Sequence, residues 1–263
     1  NKIRGDYMSD WNSDEYLLFK EERTMPAKDL VDKIIKHDPE NILDLGCGPG
    51  NSTNVIFYKF PGAKILGLDK SANMIEAAEN TYPNLNFKQF DLNKDLSFLN
   101  GSMDIVFSNA CLQWLPDHRA LIPRLLDLLK EDGVLAVQVP NNFDEPIHKL
   151  IRKVVSTEKW NKLISIIRPL NVLSPEKYYE ILSERCTKID LWETSYNHIL
   201  NSAEDILDWY KSTGLKPYLD ILDEEARKDF EKDILEEIKI NYPPQKDGKI
   251  IFKFPRLFFI AYK

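Results

Sequence analysis

A glycine-rich stretch from Ile42 to Thr53 sets the tightest limit on how this chain can fold. Apolar residues of strand character lead into Gly46, Gly48 and Gly50, and a polar Asn-Ser-Thr cluster follows them. Glycine adopts backbone angles that other residues avoid, and it lets a ligand approach the main chain. The free amide hydrogens at the start of a following helix would face that ligand. The stretch therefore predicts a strand, a tight turn and a helix start that bind a nucleotide-like ligand.

The residues around this turn distinguish between kinds of nucleotide ligand. A phosphate-binding P-loop ends in Gly-Lys-Ser/Thr, whereas Gly50 is followed by Asn51 and Ser52. A dinucleotide fingerprint has a different glycine spacing, and Asp44 would repel a pyrophosphate but attract an ammonium group. Asp44 and the glycine spacing resemble the first motif of class I S-adenosylmethionine-dependent methyltransferases. The alternative is a plain glycine-rich turn in an unrelated α/β protein.

Strand-like and helical segments alternate through the first part of the chain. The strand-like runs end at Leu45, Asp69, Phe90, Ser108 and Val139. Such alternation predicts a parallel sheet covered by helices on both faces. After Pro140, longer helical segments dominate, apart from strand-like runs at 188–196, 249–254 and 256–262. We therefore expect an α/β fold with a Rossmann-like, doubly wound, mostly parallel sheet and a helical cap.

The length of 263 residues suits one core with an appended cap. Residues 1–37 are expected to form N-terminal helices, divided at Pro26, that contribute to the cap and the substrate side. Residues 38–155 are expected to form the S-adenosylmethionine-binding core. Residues 156–263 would supply helical cap insertions and the last strands of the sheet. Such a cap would cover the carboxyl edge of the sheet, where open α/β folds bind ligands.

The net charge of −7 argues against a broad nucleic-acid surface, which is normally basic, so no nucleic-acid partner is expected. No apolar run is long enough to span a membrane, and the N-terminal residues show no signal-peptide core. We therefore expect a soluble, cytoplasmic protein with no membrane partner. Three cysteines, Cys47, Cys111 and Cys186, have no metal-ligand spacing, so no metal site is expected.

Polar residues at later strand ends extend the expected cofactor site. Asp69 ends the second run, where a carboxylate can take both ribose hydroxyls; a turn aspartate is the alternative. Asp91 follows the third run, where class I methyltransferases hold the adenine amino group while a neighbouring amide reads the ring; a loop aspartate is the alternative. Asn109 directly follows the fourth run, and its side chain or backbone is expected to face the methionine portion, unless it only terminates the strand. The expected cofactor set is Asp44, Gly46, Cys47, Gly48, Gly50, Asp69, Lys70, Asp91, Leu92 and Asn109.

Further motifs along the chain resemble the trans-aconitate 2-methyltransferase family. They are the segments 22–27 (ERTMPA), 112–118 (LQWLPDH), 135–140 (LAVQVP), 192–198 (WETSYNH), 208–209 (DW), 213–217 (TGLKP) and 254–258 (FPRLF). The similarity spans nearly the whole chain, including the segments expected to form the cap. Two departures remove positive charge: Met25 stands where a second basic residue is expected, and Glu193 where arginine is expected.

The resemblance implies a carboxyl O-methyltransferase that converts trans-aconitate, or a similar small polycarboxylic acid, to its monomethyl ester. S-adenosylmethionine would be the methyl donor and S-adenosylhomocysteine the product. Because a free carboxyl group is ionised at neutral pH, no catalytic base is expected, and orientation and charge carry the rate. The alternatives are a methyltransferase for another small or carrier-bound acid and a non-catalytic S-adenosylmethionine-binding protein.

A polyanionic substrate needs local cations or many hydrogen-bond donors when it leaves water. Arginine matches a carboxylate with two parallel hydrogen bonds. Arg23 is the first candidate, because its segment resembles the family's substrate-side helix, and Arg256 is the second; pairing with Glu21 or Glu22 is the alternative for Arg23. For Trp114 and Tyr196, packing between the cap and the sheet is the favoured alternative to substrate contact. His118 is as readily a helix-terminal residue whose hydrogen bonds are satisfied within the protein. The expected substrate set is Arg23, Trp114, His118, Arg168, Tyr196 and Arg256.

Overall fold

The computed structural model describes residues 18–164 and 171–263. Within them, the chain forms two compact units. The sheet unit comprises residues 19–141, 171–194 and 256–263, and the helical unit comprises residues 18, 142–164 and 195–255. None of the described helices is long and apolar enough to cross a membrane.

The helices and strands follow one another in a regular order. They are α1 (Lys20–Asp32), β1 (Asn41–Leu45), α2 (Asn51–Lys59), β2 (Lys64–Asp69), α3 (Ala72–Thr81), β3 (Asn86–Gln89), β4 (Met103–Asn109), α4 (His118–Asp127), β5 (Leu129–Pro140), α5 (Pro146–Val155), α6 (Pro175–Ser183), β6 (Lys188–Leu200), α7 (Ala203–Lys211), α8 (Lys216–Leu219), α9 (Glu224–Asn241) and β7 (Ile250–Tyr262). Short 3₁₀ turns lie at Ser97–Leu99 and Leu112–Trp114.

The described strands form one seven-stranded sheet in the order β3-β2-β1-β4-β5-β7-β6. The five strands from β3 to β5 are parallel to their neighbours, whereas β7 runs antiparallel to β5. Strand β1 lies between β2 and β4, so the strand order reverses there, at the point where open α/β sheets bind ligands. The predicted Rossmann-like, doubly wound, mostly parallel sheet is confirmed.

The pleat of the strands separates two faces of the sheet unit. One face is apolar and packs against α4 and α6; it includes Leu135 and Val137 of β5 and Leu257 and Phe259 of β7. Because successive side chains alternate between faces, Asp44, Asn109, Gln138 and Arg256 lie on the opposite face. Helix α1 contacts α2 and β5. Its buried apolar side chains do not belong to the apolar cluster that covers the first face.

Contrary to the prediction, two prolines do not interrupt the elements in which they lie. Pro26 lies inside α1, which continues to Asp32 as a single helix. Pro26, Ala27 and Leu30 are buried, and this packing stabilises the helix despite the lost backbone hydrogen bond. Pro255 lies inside β7, one residue before the register with β5 begins, so its missing N–H is not required in that ladder.

The helical unit has its own core. Helix α9 contacts both α5 and α7. Trp160 packs edge to face against Phe230 with ring centres 5.0 Å apart, and its indole nitrogen donates to Asp233 at 2.7 Å. The expected boundaries therefore change at two points: α1 belongs to the sheet unit, and α5 belongs to the helical unit. After α5, residues 158–163 form turns rather than a further helix.

The glycine turn after β1 is closed by backbone hydrogen bonds to the next strand. The amides of Gly46 and Cys47 donate to the carbonyl of Leu68 at 2.7 and 3.0 Å. Gly46 has a φ of +71°, and an added Cβ would lie 2.2 Å from the Sγ of Cys111. The position therefore requires glycine for two independent reasons, its backbone conformation and the space that Cys111 occupies.

We expect Gly46→Ala to lower the free energy of unfolding by about 2–4 kcal/mol, because it combines a left-handed alanine with a steric overlap. Gly48→Ala is the matched control: its φ is +53°, but an added Cβ has nothing within 4 Å, so only the backbone cost of about 1–2 kcal/mol remains. Urea unfolding of both variants measures the difference. Equal losses would show that Cys111 yields without cost.

Candidate active site

Asp69, at the end of β2, braces the glycine turn. Its Oδ2 accepts a hydrogen bond from the Gly48 amide at 3.0 Å, and its Oδ1 accepts one from the Ser71 amide at 2.9 Å. Ser71 in turn caps α3, because its hydroxyl accepts from the Met74 amide at 3.1 Å. The structure thus brings Asp69 and the glycine turn together, at the carboxyl ends of two neighbouring strands.

Asp44 lies fully buried in β1, beneath this turn. Its Oδ2 accepts hydrogen bonds from the hydroxyls of Ser52 and Thr53, both at 2.7 Å. Its Oδ1 is enclosed and has no hydrogen-bond partner among the described residues. Burial raises the pKa of Asp44 to about 6, although the two hydroxyls act in the opposite direction. A buried carboxylate with an unpaired oxygen fits a ligand that carries a cation or a hydrogen-bond donor.

Asp91 and Lys70 come together beside β3. The ammonium of Lys70 lies 3.0 Å from the Oδ2 of Asp91, and Asn93 donates to Oδ1 through both its amide and its side chain. Partial burial raises the pKa of Asp91, but the hydrogen bonds from Asn93 and Lys70 outweigh it, so the pKa lies below its ordinary value. Leu92 beside it is buried. A fixed anion next to an apolar side chain suits a polar aromatic ring such as adenine.

A row of polar side chains crosses the sheet on the face that carries Asp44. Asn109 ends β4 and is the register neighbour of Gln138 in β5. Arg256 in β7 lies opposite Pro140, and its Nη1 donates to the Oε1 of Gln138 at 3.3 Å. Gln138 is 0% exposed and Arg256 is 3% exposed. Gln138 is absent from the predicted set; a polar residue within the apolar run of β5 is the signal that marks it.

Arg23 is buried in the sheet unit like Arg256. It lies in the first half of α1, is 6% exposed, and places its guanidinium carbon 5.9 Å from the centre of the Phe19 ring. Helix α1 contacts β5, the strand that pairs with the segment of β7 carrying Arg256. The two leading candidates for substrate binding are therefore both enclosed side chains of one unit.

His118 does not fit its predicted role in substrate binding. Its Nδ1 lies 2.5 Å from the hydroxyl of Tyr178, and its Nε2 lies 2.8 Å from the carbonyl oxygen of Leu112. Tyr178 packs against Phe259, on the apolar face of the sheet opposite to Arg256. Burial lowers the pKa of His118, although neighbouring backbone carbonyls act in the opposite direction. With both ring nitrogens engaged, His118 stabilises the start of α4, and we withdraw it as a substrate contact.

The other predicted substrate residues are dispersed. Trp114 is half-buried at the end of a 3₁₀ turn in the sheet unit. Tyr196 belongs to the helical unit, where it is buried and stacks on His198 with ring centres 6.2 Å apart. Arg168 lies outside the described residues. The sheet unit thus supplies Arg23, Arg256 and Trp114 to the candidate set.

The strand order, the antiparallel β7 and the braced glycine turn together define a class I S-adenosylmethionine-dependent methyltransferase. The residues fit this cofactor: the left-handed glycines leave the turn open, and the buried Oδ1 of Asp44 provides an acceptor that the described residues do not use.

Comparisons with known proteins agree with this class. The family described as "Methyltransferase domain" matches residues 36–204. A trans-aconitate 2-methyltransferase from Rhodopseudomonas palustris is 40% identical over 258 residues, which cover 97% of this chain and 100% of that protein. One from Methylobacterium radiotolerans is 42% identical over 260 residues, with 97% and 99% covered. The fold also matches the crystal structure of the YcgJ protein from Bacillus subtilis, with a TM-score of 0.60 and 16% identity over 91% of this chain and 98% of that one. The chain belongs to the trans-aconitate 2-methyltransferase family.

Ionisation of Asp44 is expected to destabilise the ligand-free protein as the pH rises. Its folded-state pKa of about 6 exceeds the ordinary value of 3.8, so the folded state binds the proton more tightly than the unfolded chain. This stabilisation is complete below pH 3.8 and is lost as the pH rises through about 6. Asp44→Asn should not show this loss, so its stability relative to the parent should increase by about 2 kcal/mol between pH 4 and pH 7.

Urea unfolding at several pH values without ligand measures this difference. Asp95→Asn is the control, because Asp95 is an exposed carboxylate whose pKa is lowered by hydrogen bonds from Ser97. A lowered pKa makes the free energy of unfolding depend on pH only below about pH 4. The free energy of unfolding of Asp95→Asn should therefore change with pH in the same way as that of the parent. A constant difference between Asp44→Asn and the parent across the range would contradict the assignment.

Proposed function

We propose that this methyltransferase converts trans-aconitate, or a similar small polycarboxylic acid, to its monomethyl ester and releases S-adenosylhomocysteine. The observation that carries the proposal is the burial of Arg23 and Arg256 in one unit of a protein with a net charge of −7. The two guanidinium groups add positive charge to this unit, and a polyanionic ligand needs such local cations when it leaves water. The names of the related proteins support the same substrate.

The proposed cofactor site follows the strand ends of the sheet unit. Asp44 would accept from the ammonium group, Asp69 would bind the ribose hydroxyls, and Asn109 would face the methionine portion. The remaining members are Gly46, Cys47, Gly48, Gly50, Lys70, Asp91 and Leu92. Hydrogen bonds already hold Asp44 and Asp69 in place, so the site needs little reorganisation to bind its ligand. When bound, S-adenosylmethionine supplies an electrophilic methyl group on its sulfonium.

No general base is proposed, because a carboxylate nucleophile is already ionised at neutral pH. Two histidines considered for acid–base work argue against such a role. His118 has both nitrogens engaged, and burial lowers the pKa of His148 to about 4, with a smaller contribution from Arg152. The contribution of this chain would be to orient the acid and to compensate its charge, and Arg23 and Arg256 are the residues proposed for that role.

The two departures from the family pattern lie at the surface. Met25 is 43% exposed, and Glu193 is exposed and accepts a hydrogen bond from the side chain of Asn141. Neither replaces one of the buried arginines. They leave open a related anionic acid, including a carrier-bound one, which the assay below distinguishes.

The proposed partner is a small anionic acid rather than a nucleic acid, because the net charge of −7 would oppose a polyanion. A cytoplasmic location is part of the proposal. The free thiols of Cys47 and Cys111, in the turn and beside it, support a reducing compartment.

Replacing Asp69 should weaken cofactor binding. Asp69→Asn removes the charge and one acceptor oxygen but keeps the shape of the side chain, and we expect a loss of about 1–3 kcal/mol in binding S-adenosylmethionine. Calorimetry measures the affinity, and Asp95→Asn serves as the control for loss of an aspartate away from the turn. Unchanged affinity for Asp69→Asn would remove Asp69 from the proposed site.

The proposed substrate is tested by incubating the protein with S-adenosylmethionine and a panel of mono-, di- and tricarboxylic acids. Formation of S-adenosylhomocysteine and of a methyl ester with trans-aconitate is the expected result. Esterification of a different acid alone would favour the alternative methyltransferase. Binding of S-adenosylmethionine without turnover of any acid would favour the non-catalytic protein.

In the same assay, Arg23→Ala and Arg256→Ala should each lower kcat/KM for trans-aconitate. The drop should correspond to about 2–4 kcal/mol of lost transition-state stabilisation, because each variant removes a charged hydrogen-bond partner of the acid. Affinity for S-adenosylhomocysteine should stay unchanged. Arg185→Ala is the control, since Arg185 is partly exposed and pairs with Asp127 at 2.6 Å. If both variants turn over trans-aconitate like the parent, the acid binds elsewhere.

A further inference from the structure

The side-chain amide of Gln138 has a fixed orientation. Its Oε1 lies 3.3 Å from the Nη1 of Arg256. Arginine has only donors, so the atom of the amide that faces Arg256 has to be the oxygen. The amide nitrogen of Gln138 is therefore directed away from that contact. It is fully buried and has no hydrogen-bond partner among the described residues.

A second unpaired polar atom lies on the neighbouring strand. The Oδ1 of Asn109 is enclosed and, among the described residues, has no hydrogen-bond partner either. Asn109 and Gln138 are register neighbours on β4 and β5, and no hydrogen bond joins their side chains. Buried amides normally find partners, so a donor and an acceptor left unpaired at adjacent strand ends indicate a ligand with polar atoms there.

The order of residues across the sheet gives this ligand its place. The glycine turn follows β1, Asn109 ends β4, Gln138 lies in β5, and Arg256 lies in β7, which is also the spatial order of these strands. Gln138 therefore lies between the side proposed for the cofactor and the arginine proposed for the substrate.

We propose that Gln138 determines which carboxylate of the substrate is methylated, by donating its Nε2–H to one oxygen of the reacting group while Arg256 holds a carboxylate that does not react. This inference rests on the proposed function. The reacting carboxylate loses its negative charge as its free oxygen bonds to the methyl carbon and the carbon–sulfur bond breaks, with the electron pair passing to sulfur. A cationic partner would stabilise the charged starting state more than the transition state, whereas a neutral amide donor favours the starting state less. The hydrogen bond persists in the product, because the same oxygen becomes the ester carbonyl.

The test compares Gln138→Met and Gln138→Glu with the parent in the carboxylic acid panel. Methionine keeps the size of the side chain but has no donor, and glutamate keeps the acceptor toward Arg256 while replacing the donor by a second acceptor. We expect Gln138→Met to lower kcat for trans-aconitate by about 10- to 100-fold, because the reacting carboxylate is no longer held in line with the methyl group. The parent should yield one monomethyl ester and Gln138→Met a mixture of isomers, resolved by NMR of the products. Gln138→Glu should lower kcat by a larger factor than Gln138→Met does. Both variants should bind S-adenosylhomocysteine like the parent.

Gln113→Met is the matched control. Gln113 is also a buried glutamine of the sheet unit, but its Nε2 already donates to the carbonyl of Ala110 at 2.7 Å. This variant should keep a single ester. An unchanged kcat and one ester with Gln138→Met, several esters already with the parent, or an equal loss of S-adenosylhomocysteine binding would each overturn the inference and leave the proposed function standing. A parent protein that methylates none of the acids would instead refute the proposed function and this inference with it.

Discussion

The carbonyl of Leu68 accepts hydrogen bonds from the amides of Gly46 and Cys47, and the carboxylate of Asp69 accepts one from Gly48. These bonds join the ends of β1 and β2 and hold the turn in a left-handed conformation that suits glycine. The chain then enters α2, whose first hydroxyls bind the carboxylate buried in β1. The proposed cofactor site therefore depends on this one junction between two parallel strands.

Buried charged side chains are the second feature of the sheet unit that supports the proposed function. Asp44 in β1 is held by two hydroxyls, and Arg256 in β7 donates to the amide of Gln138. The two hydroxyls are neutral, so they reduce the desolvation penalty of Asp44 without cancelling its charge. Asp44 therefore remains able to act on a cationic ligand, and Arg256 lies on a different strand of the same sheet.

Particular residues show where sequence reasoning reached its limit. The turn and Asp69 were predictable as neighbours, because carboxyl ends of adjacent parallel strands share one edge. His118 was not, because the face against which its helix packs is set by contacts with Tyr178 and Leu112. Gln138 was missed because a strand buried on both faces shows no polar alternation that would reveal which face a residue occupies.

The sequence by itself determined the alternating strands and helices, the glycine turn with its nearby carboxylates, and the resemblance that the related proteins confirm. These features are local, since each depends on a few consecutive residues and their spacing. Only the tertiary structure decided that Arg256 contacts Gln138, that His118 lies on the opposite face, and that Pro26 stays within one helix. Strand register and helix packing join residues far apart in the chain, and no local pattern specifies which of them meet.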